Sequence, residues 1–144
     1  MKTHLNLATT DLDKSVLFYS ALLGTKPTKV LPDYALFITE QPGLELALDL
    51  RSSVETGTDA HYGVYVETET DVDTAIARLE AADLVASIER GETCCYANQS
   101  KVWAIDPEGR RWEIYTVHED TEAKIDAETS CCSSDEADRS CCVA

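Results

Sequence analysis

The chain opens on an alternation. In "HLNL", beginning at His4, Leu5 and Leu7 alternate with His4 and Asn6, the two-residue period of a half-buried strand. Asp11 then offers a helix cap, and Leu12, Val16, Tyr19, Leu22 and Leu23 form an apolar stripe at helical spacing that Gly24 stops. A weak segment near Pro27 to Val30, then "YALFIT" and "LELALDL", read as three further strands. The pattern then recurs. "HYGVYV" begins at His61, Asp71 is the matching cap, and Val72, Ile76 and Leu79 carry the second stripe. Strands follow around Val85 to Ile88, in "KVWAI" and in "RRWEIYTV", the last two joined by the turn "DPEG". The two histidines lie 57 residues apart and the Asp-x-Asp caps 60 apart, so one three-residue insertion aligns the halves. We therefore expect an α+β fold of two tandem β-α-β-β-β modules, about 1–55 and 58–118. They pair their sheets around a cavity, with the helices on the outer faces.

Strand parity selects chemistry within that cavity. If Leu5 and Leu7 face the helix, His4 and Asn6 face the cavity; if Tyr62, Val64 and Val66 face the helix, His61 and Gly63 face the cavity too. In "RRWEIYTVH", Glu113 shares a face with Tyr115 and Val117, and Trp112, Ile114 and Thr116 share the other. A carboxylate so placed is costly unless it is paired or bound to a metal. His4, His61 and Glu113 are then two imidazoles and a carboxylate, the facial set that leaves open positions on non-haem Fe(II). The plainer alternatives are hydrogen-bonded strand-start histidines and a paired strand carboxylate. Glu45 in "LELALDL" is the counterpart of Glu113, a fourth ligand or a solvated strand charge. His118 has the wrong parity for the metal.

Composition narrows the partners. The chain has 144 residues, 44% apolar and 27% charged, with a formal net charge of −15. That charge disfavours nucleic acid, whose affinity comes mainly from neutralised phosphates. No apolar run approaches the roughly 20 residues of a membrane span. The start "MKTHLNLATTDLDKS" has no apolar core of a secretory signal, so a cytoplasmic chain with reduced thiols is expected. From His118 onward there are eight acidic and two basic residues, −6 of the −15, without apolar periodicity. We expect a folded domain over 1–120 and an acidic, Cys-rich, disordered tail over 121–144.

All six cysteines come as adjacent pairs: Cys94–Cys95, Cys131–Cys132 and Cys141–Cys142. Adjacent cysteines are poor disulfide partners, because consecutive Cα atoms lie about 3.8 Å apart whereas disulfides want roughly 4.4–6.8 Å. Cys94 and Cys95 converge on one object only if the backbone leaves strand geometry, which points to a soft, thiol-seeking ligand. Lys101 is a nearby cation for a thiolate or a solvent-facing strand lysine. Tyr96 and Trp103 either line an apolar pocket or pack in the core.

The paired modules, the two histidine-led strands and "DPEGRRWEIY" resemble the vicinal oxygen chelate superfamily of glyoxalases, extradiol dioxygenases and antibiotic-resistance proteins. "ETCCYANQSKVWAIDPEGRRWEIYTV" and "FYSALLGTKPTKVLPDYALF" more narrowly resemble the organoarsenical carbon–arsenic lyases and the cadmium-induced proteins. The resemblance implies Fe(II) on His4, His61 and Glu113, and a trivalent organoarsenical held by Cys94 and Cys95. It further implies oxygen-dependent cleavage of the carbon–arsenic bond to arsenite, for detoxification, in a monomer or homodimer. A first-module carboxylate such as Glu45 departs from that pattern. Two other functions stay open: a non-catalytic soft-metal (cadmium or arsenite) binding protein, and a glyoxalase- or dioxygenase-type enzyme acting on an organic substrate.

Overall fold

The computed structural model describes residues 2–57, 60–94 and 96–122. Cys95 and the tail cysteines Cys131, Cys132, Cys141 and Cys142 lie outside the described residues. The first half runs β1 (Thr3–Thr9), α1 (Leu12–Leu23), β2 (Lys29–Leu31), β3 (Tyr34–Thr39) and β4 (Leu44–Leu50). The second runs β5 (His61–Tyr65), α2 (Glu69–Ala81), β6 (Val85–Cys94), β7 (Ala97–Ile105) and β8 (Arg111–Asp120). Each half makes one four-stranded sheet, ordered β1-β4-β3-β2 and β5-β8-β7-β6. In both, the first and last strands pair in parallel and the rest antiparallel. The repeat seen in the sequence is thus a repeat of topology.

Local chemistry explains the helix boundaries. The Asp11 carboxylate accepts the Lys14 N–H, and Gly24 ends α1 at φ 65°, where a side chain is disfavoured. The second helix corrects the expected cap. Thr68, not Asp71, is the N-cap, and Asp71 sits three residues on, returning its carboxylate to the Thr68 backbone in a reciprocal box. Asp71 thus stabilises the helix start from inside its first turn.

The core lies between helices and sheets. Leu12, Phe18, Tyr19 and Leu22 of α1 and Val72, Ala75, Ile76 and Leu79 of α2 are buried with Phe37, Leu46, Leu48, Trp112 and Ile114. Phe18 joins the buried stripe, and Val16 and Leu23 are only partly buried. Strand parity holds: Leu7, Val64, Trp112, Ile114 and Thr116 face inward.

The halves are joined by polar ties. Asp106 in the "DPEG" turn accepts the Tyr19 hydroxyl at 2.7 Å and pairs with Arg110 at 2.9 Å. Arg110 donates to the Ala8 carbonyl at 2.7 Å, and Glu108 accepts the Thr10 N–H at 2.7 Å. From α2, Arg78 reaches the carbonyls of Ala21 and Leu22 at the end of α1, completing acceptors that a helix C-terminus leaves free.

Candidate metal and thiol site

The open face of the second sheet gathers the strongest candidates. Parallel pairing sets His61 beside Arg111 and Gly63 beside Glu113. His61 Nε2 lies 3.5 Å from Glu113 Oε1. Two donors bound to one first-row ion at about 2.1 Å stand roughly 3.0–3.4 Å apart for right-angled to tetrahedral geometry. An imidazole nitrogen and a carboxylate oxygen at 3.5 Å therefore fit a divalent ion with little adjustment. Gly63 leaves the room: a Cβ there would come within 3.2 Å of Glu113 Oε1 and 3.0 Å of Tyr115 Cε1.

The two members of this pair differ in exposure: His61 is half exposed and Glu113 is buried. The Glu113 side chain is 9% exposed and Lys101 6%, and Lys101 Nζ donates to Glu113 Oε2 at 2.8 Å. Lys101 is thus neither a solvent-facing lysine nor an evident partner for a thiolate; it is the counter-ion of Glu113. Its ammonium also lies 5.4 Å from the Trp103 ring and 5.8 Å from the Tyr115 ring. Trp103 meets His61 edge-on at 5.3 Å, donates its indole N–H to Glu89 at 2.8 Å, and carries the Arg111 guanidinium 4.5 Å from its ring centre. Trp103 is buried on the site face, with its ring edge-on to His61.

The first half pairs its histidine differently, and the register corrects the expected equivalence of Glu45 and Glu113: Ala47 takes the place of Glu113, and Glu45 that of Arg111. His4 stands opposite Glu45 in the β1–β4 register, with Nδ1 3.6 Å from Glu45 Oε2. Both are half exposed, at 57% and 44%. Each half therefore presents one imidazole beside one carboxylate. Among the described residues, no three His, Cys, Asp or Glu side chains gather into a group able to hold a metal. The structure brings together His61 with Glu113 and His4 with Glu45, and does not bring His4 to Glu113 within one chain.

The thiol end is a hairpin. Cys94 closes β6 opposite Ala97, and Tyr96, at φ 67°, turns the chain in the left-handed region. Tyr96 thus leaves strand geometry two residues after Cys94. Tyr96 is 55% exposed, so it is no core residue, and its carbonyl accepts the Thr121 N–H at 2.7 Å. Below the hairpin, β6 is irregular around Gly91, whose N–H donates to Ser100 Oγ and whose carbonyl accepts from Asn98. His118 meets Ser100 Oγ at 2.9 Å and Glu69 at 3.1 Å, apart from Glu113 as parity requires.

Residues 3–114 match the Glyoxalase/Bleomycin resistance protein/Dioxygenase superfamily, and the chain belongs to it. A crystal structure of a member from Alicyclobacillus acidocaldarius superposes with a TM-score of 0.67 at 19% identity, covering 83% of this chain and 92% of that one. Within the superfamily the relatives are narrower. A trivalent organoarsenical cleaving enzyme of Bacillus sp. (strain MD1) is 38% identical over 130 residues, 90% of this chain and 81% of that protein. The cadmium-induced protein CadI of Mycobacterium bovis is 44% identical over 121 residues, 84% of this chain and 79% of that protein.

Proposed function

We propose that this protein cleaves the carbon–arsenic bond of trivalent organoarsenicals, such as methylarsenite or a trivalent aromatic arsenical, with Fe(II) and O₂. The observation that carries the reading is the His61–Glu113 pair at donor spacing, on the sheet whose β6 ends at Cys94. The relative that cleaves trivalent organoarsenicals supports the substrate class. His61 and Glu113 hold the metal with His4. In one chain His4 sits with Glu45, so the set closes between two copies, the open first-half face of one lying against the open second-half face of the other. When bound, Fe(II) supplies open coordination positions and electrons for dioxygen.

The chain's own residues do the rest. Cys94 and Cys95 replace the two oxygens of a trivalent arsenical, as soft thiolates suit a soft centre, and leave the carbon group attached and oriented. Trp103 holds the His61 ring, and Glu113 keeps its carboxylate sheltered from water. For methylarsenite the atoms balance as one substrate and one dioxygen giving one arsenite and one formaldehyde. Carbon is oxidised, oxygen is reduced, and arsenic stays trivalent. The adjacent cysteines argue against a purely organic substrate; a second reading, suggested by the relative named as cadmium-induced, is binding of a soft ion without turnover. Anaerobic reconstitution with Fe(II), followed by methylarsenite and air, separates them. Catalytic release of arsenite supports the first; uptake that stops at a fixed ratio to protein, with methylarsenite recovered intact, refutes it.

A further inference from the structure

We propose that Lys101 is a positioning residue that makes Glu113 a one-oxygen ligand and so keeps a coordination position free at the metal. The inference rests on the metal role proposed for His61 and Glu113. Its basis is a division of labour within one carboxylate. Oε2 accepts from the Lys101 ammonium at 2.8 Å, while Oε1 faces His61 Nε2 at 3.5 Å. Gly63 leaves space beside Oε1. Lys101 itself has little freedom to leave: its side chain is 6% exposed and stands between the Trp103 and Tyr115 rings, which attract a cation.

A carboxylate is able to bind through one oxygen or two. With Oε2 committed to an ammonium, the second oxygen is withheld. A facial set of three single donors leaves the remaining positions open, whereas a two-oxygen Glu113 fills one of them. The same ammonium repels a divalent ion a few ångströms away. Lys101 therefore weakens metal binding while preserving the geometry that reactivity needs. A lysine retained only for folding would do the reverse, since its loss would disorder Glu113 and weaken binding.

Mn(II) titration of the full chain tests this, because thiols hold that hard ion weakly and the cysteine pairs stay out of the measurement. Free Mn(II) is read by electron paramagnetic resonance, and exchangeable waters on the bound ion by water-proton relaxation. For Lys101→Met we expect affinity to rise about tenfold, following removal of a nearby positive charge. One exchangeable water should be lost, and kcat should fall with KM for methylarsenite little changed. The metal-free protein should melt lower, and Mn(II) should raise its Tm by more than in the parent. Lys101→Arg, which keeps a cationic donor, should restore the parent affinity and water count. Lys101→Met with equal or weaker Mn(II) binding and an unchanged water count overturns the proposal. If Glu113→Ala and His61→Ala bind Mn(II) as the parent does, the metal site itself is misassigned, and the role of Lys101 falls with it.

Discussion

Replacing Tyr19 by Phe removes one oxygen from the middle of the molecule and tests how the halves are joined. The hydroxyl is fully buried and donates to Asp106 Oδ2 at 2.7 Å. Burial first, then the neighbouring Asp106 charge, pushes the phenol far above its ordinary range, so it remains a donor at every accessible pH. A hydrogen bond to a charged acceptor contributes about 1.5–3 kcal/mol net. Asp106 keeps three other donors, the Arg110 side chain and the backbone N–H groups of Glu108 and Arg110, so it is not stranded. The lower end applies, about 1.5–2 kcal/mol. For a domain of this size that is a Tm lower by roughly 5–10 °C. Asp106→Ala is different in kind, because it strands the buried Arg110 guanidinium and the Tyr19 hydroxyl together, and should cost about 3–5 kcal/mol. Urea unfolding of both variants and the double variant, with chelator and reductant present, completes a cycle. The double variant should be more stable than the sum predicts by about 1.5 kcal/mol, since one contact is counted twice. Additivity within the error of the measurement would refute a direct energetic tie between Tyr19 and Asp106.

Gly63→Ala should leave the fold intact but weaken Mn(II) binding, as its Cβ meets Glu113 Oε1 at 3.2 Å; unchanged affinity in a titration would remove Gly63 from the site. Mixing His4→Ala with His61→Ala protein should regain up to about a quarter of parental arsenite release, from heterodimers with one intact site; no recovery after subunit exchange excludes closure between two copies. Cys94→Ser and Cys95→Ser should each abolish carbon–arsenic cleavage with iron content unchanged, and retained cleavage in both leaves the pair without that role. Partial burial pushes the Glu108 carboxyl up, but the Thr10 N–H and the Thr9 and Thr10 hydroxyls outweigh it and hold its pKa below the ordinary 4.5. Glu108 therefore stabilises the fold above about pH 4.5, and that contribution is lost as the pH falls through its lowered pKa. Glu108→Gln should flatten this part of the acid limb in pH-dependent unfolding, and an unchanged limb would count against it.

The sequence made the duplication and the face of each strand legible because both depend on period alone. His4, His61 and Glu113 fall on the open faces for the same reason that Leu7, Val64 and Ile114 fall inward. Lys101 was not legible. Its parity matches Trp103, but whether a strand lysine meets water or a carboxylate depends on the neighbouring strand. Only the β7–β8 register, which sets Trp103 against Glu113 and Lys101 one step along, decides it. The cap of α2 was misread for a similar local reason. Thr68 and Asp71 are both good capping residues, and the reciprocal box uses the two together. Likewise His4 and His61 are equivalent by repeat, yet equivalence in sequence does not bring two positions to one point in space.

The ties between the halves run one way. Among the described residues, the charged groups that bind across the joint, Arg78, Asp106, Glu108 and Arg110, all belong to the second half. A ribosome releases the first half earlier, with Tyr19 and the carbonyls of Ala21 and Leu22 still lacking these partners. The early half is therefore a waiting structure, and it gains its last contacts only when the "DPEG" turn has emerged. Two halves of like topology are in this way unequal: the one made later carries the clasp.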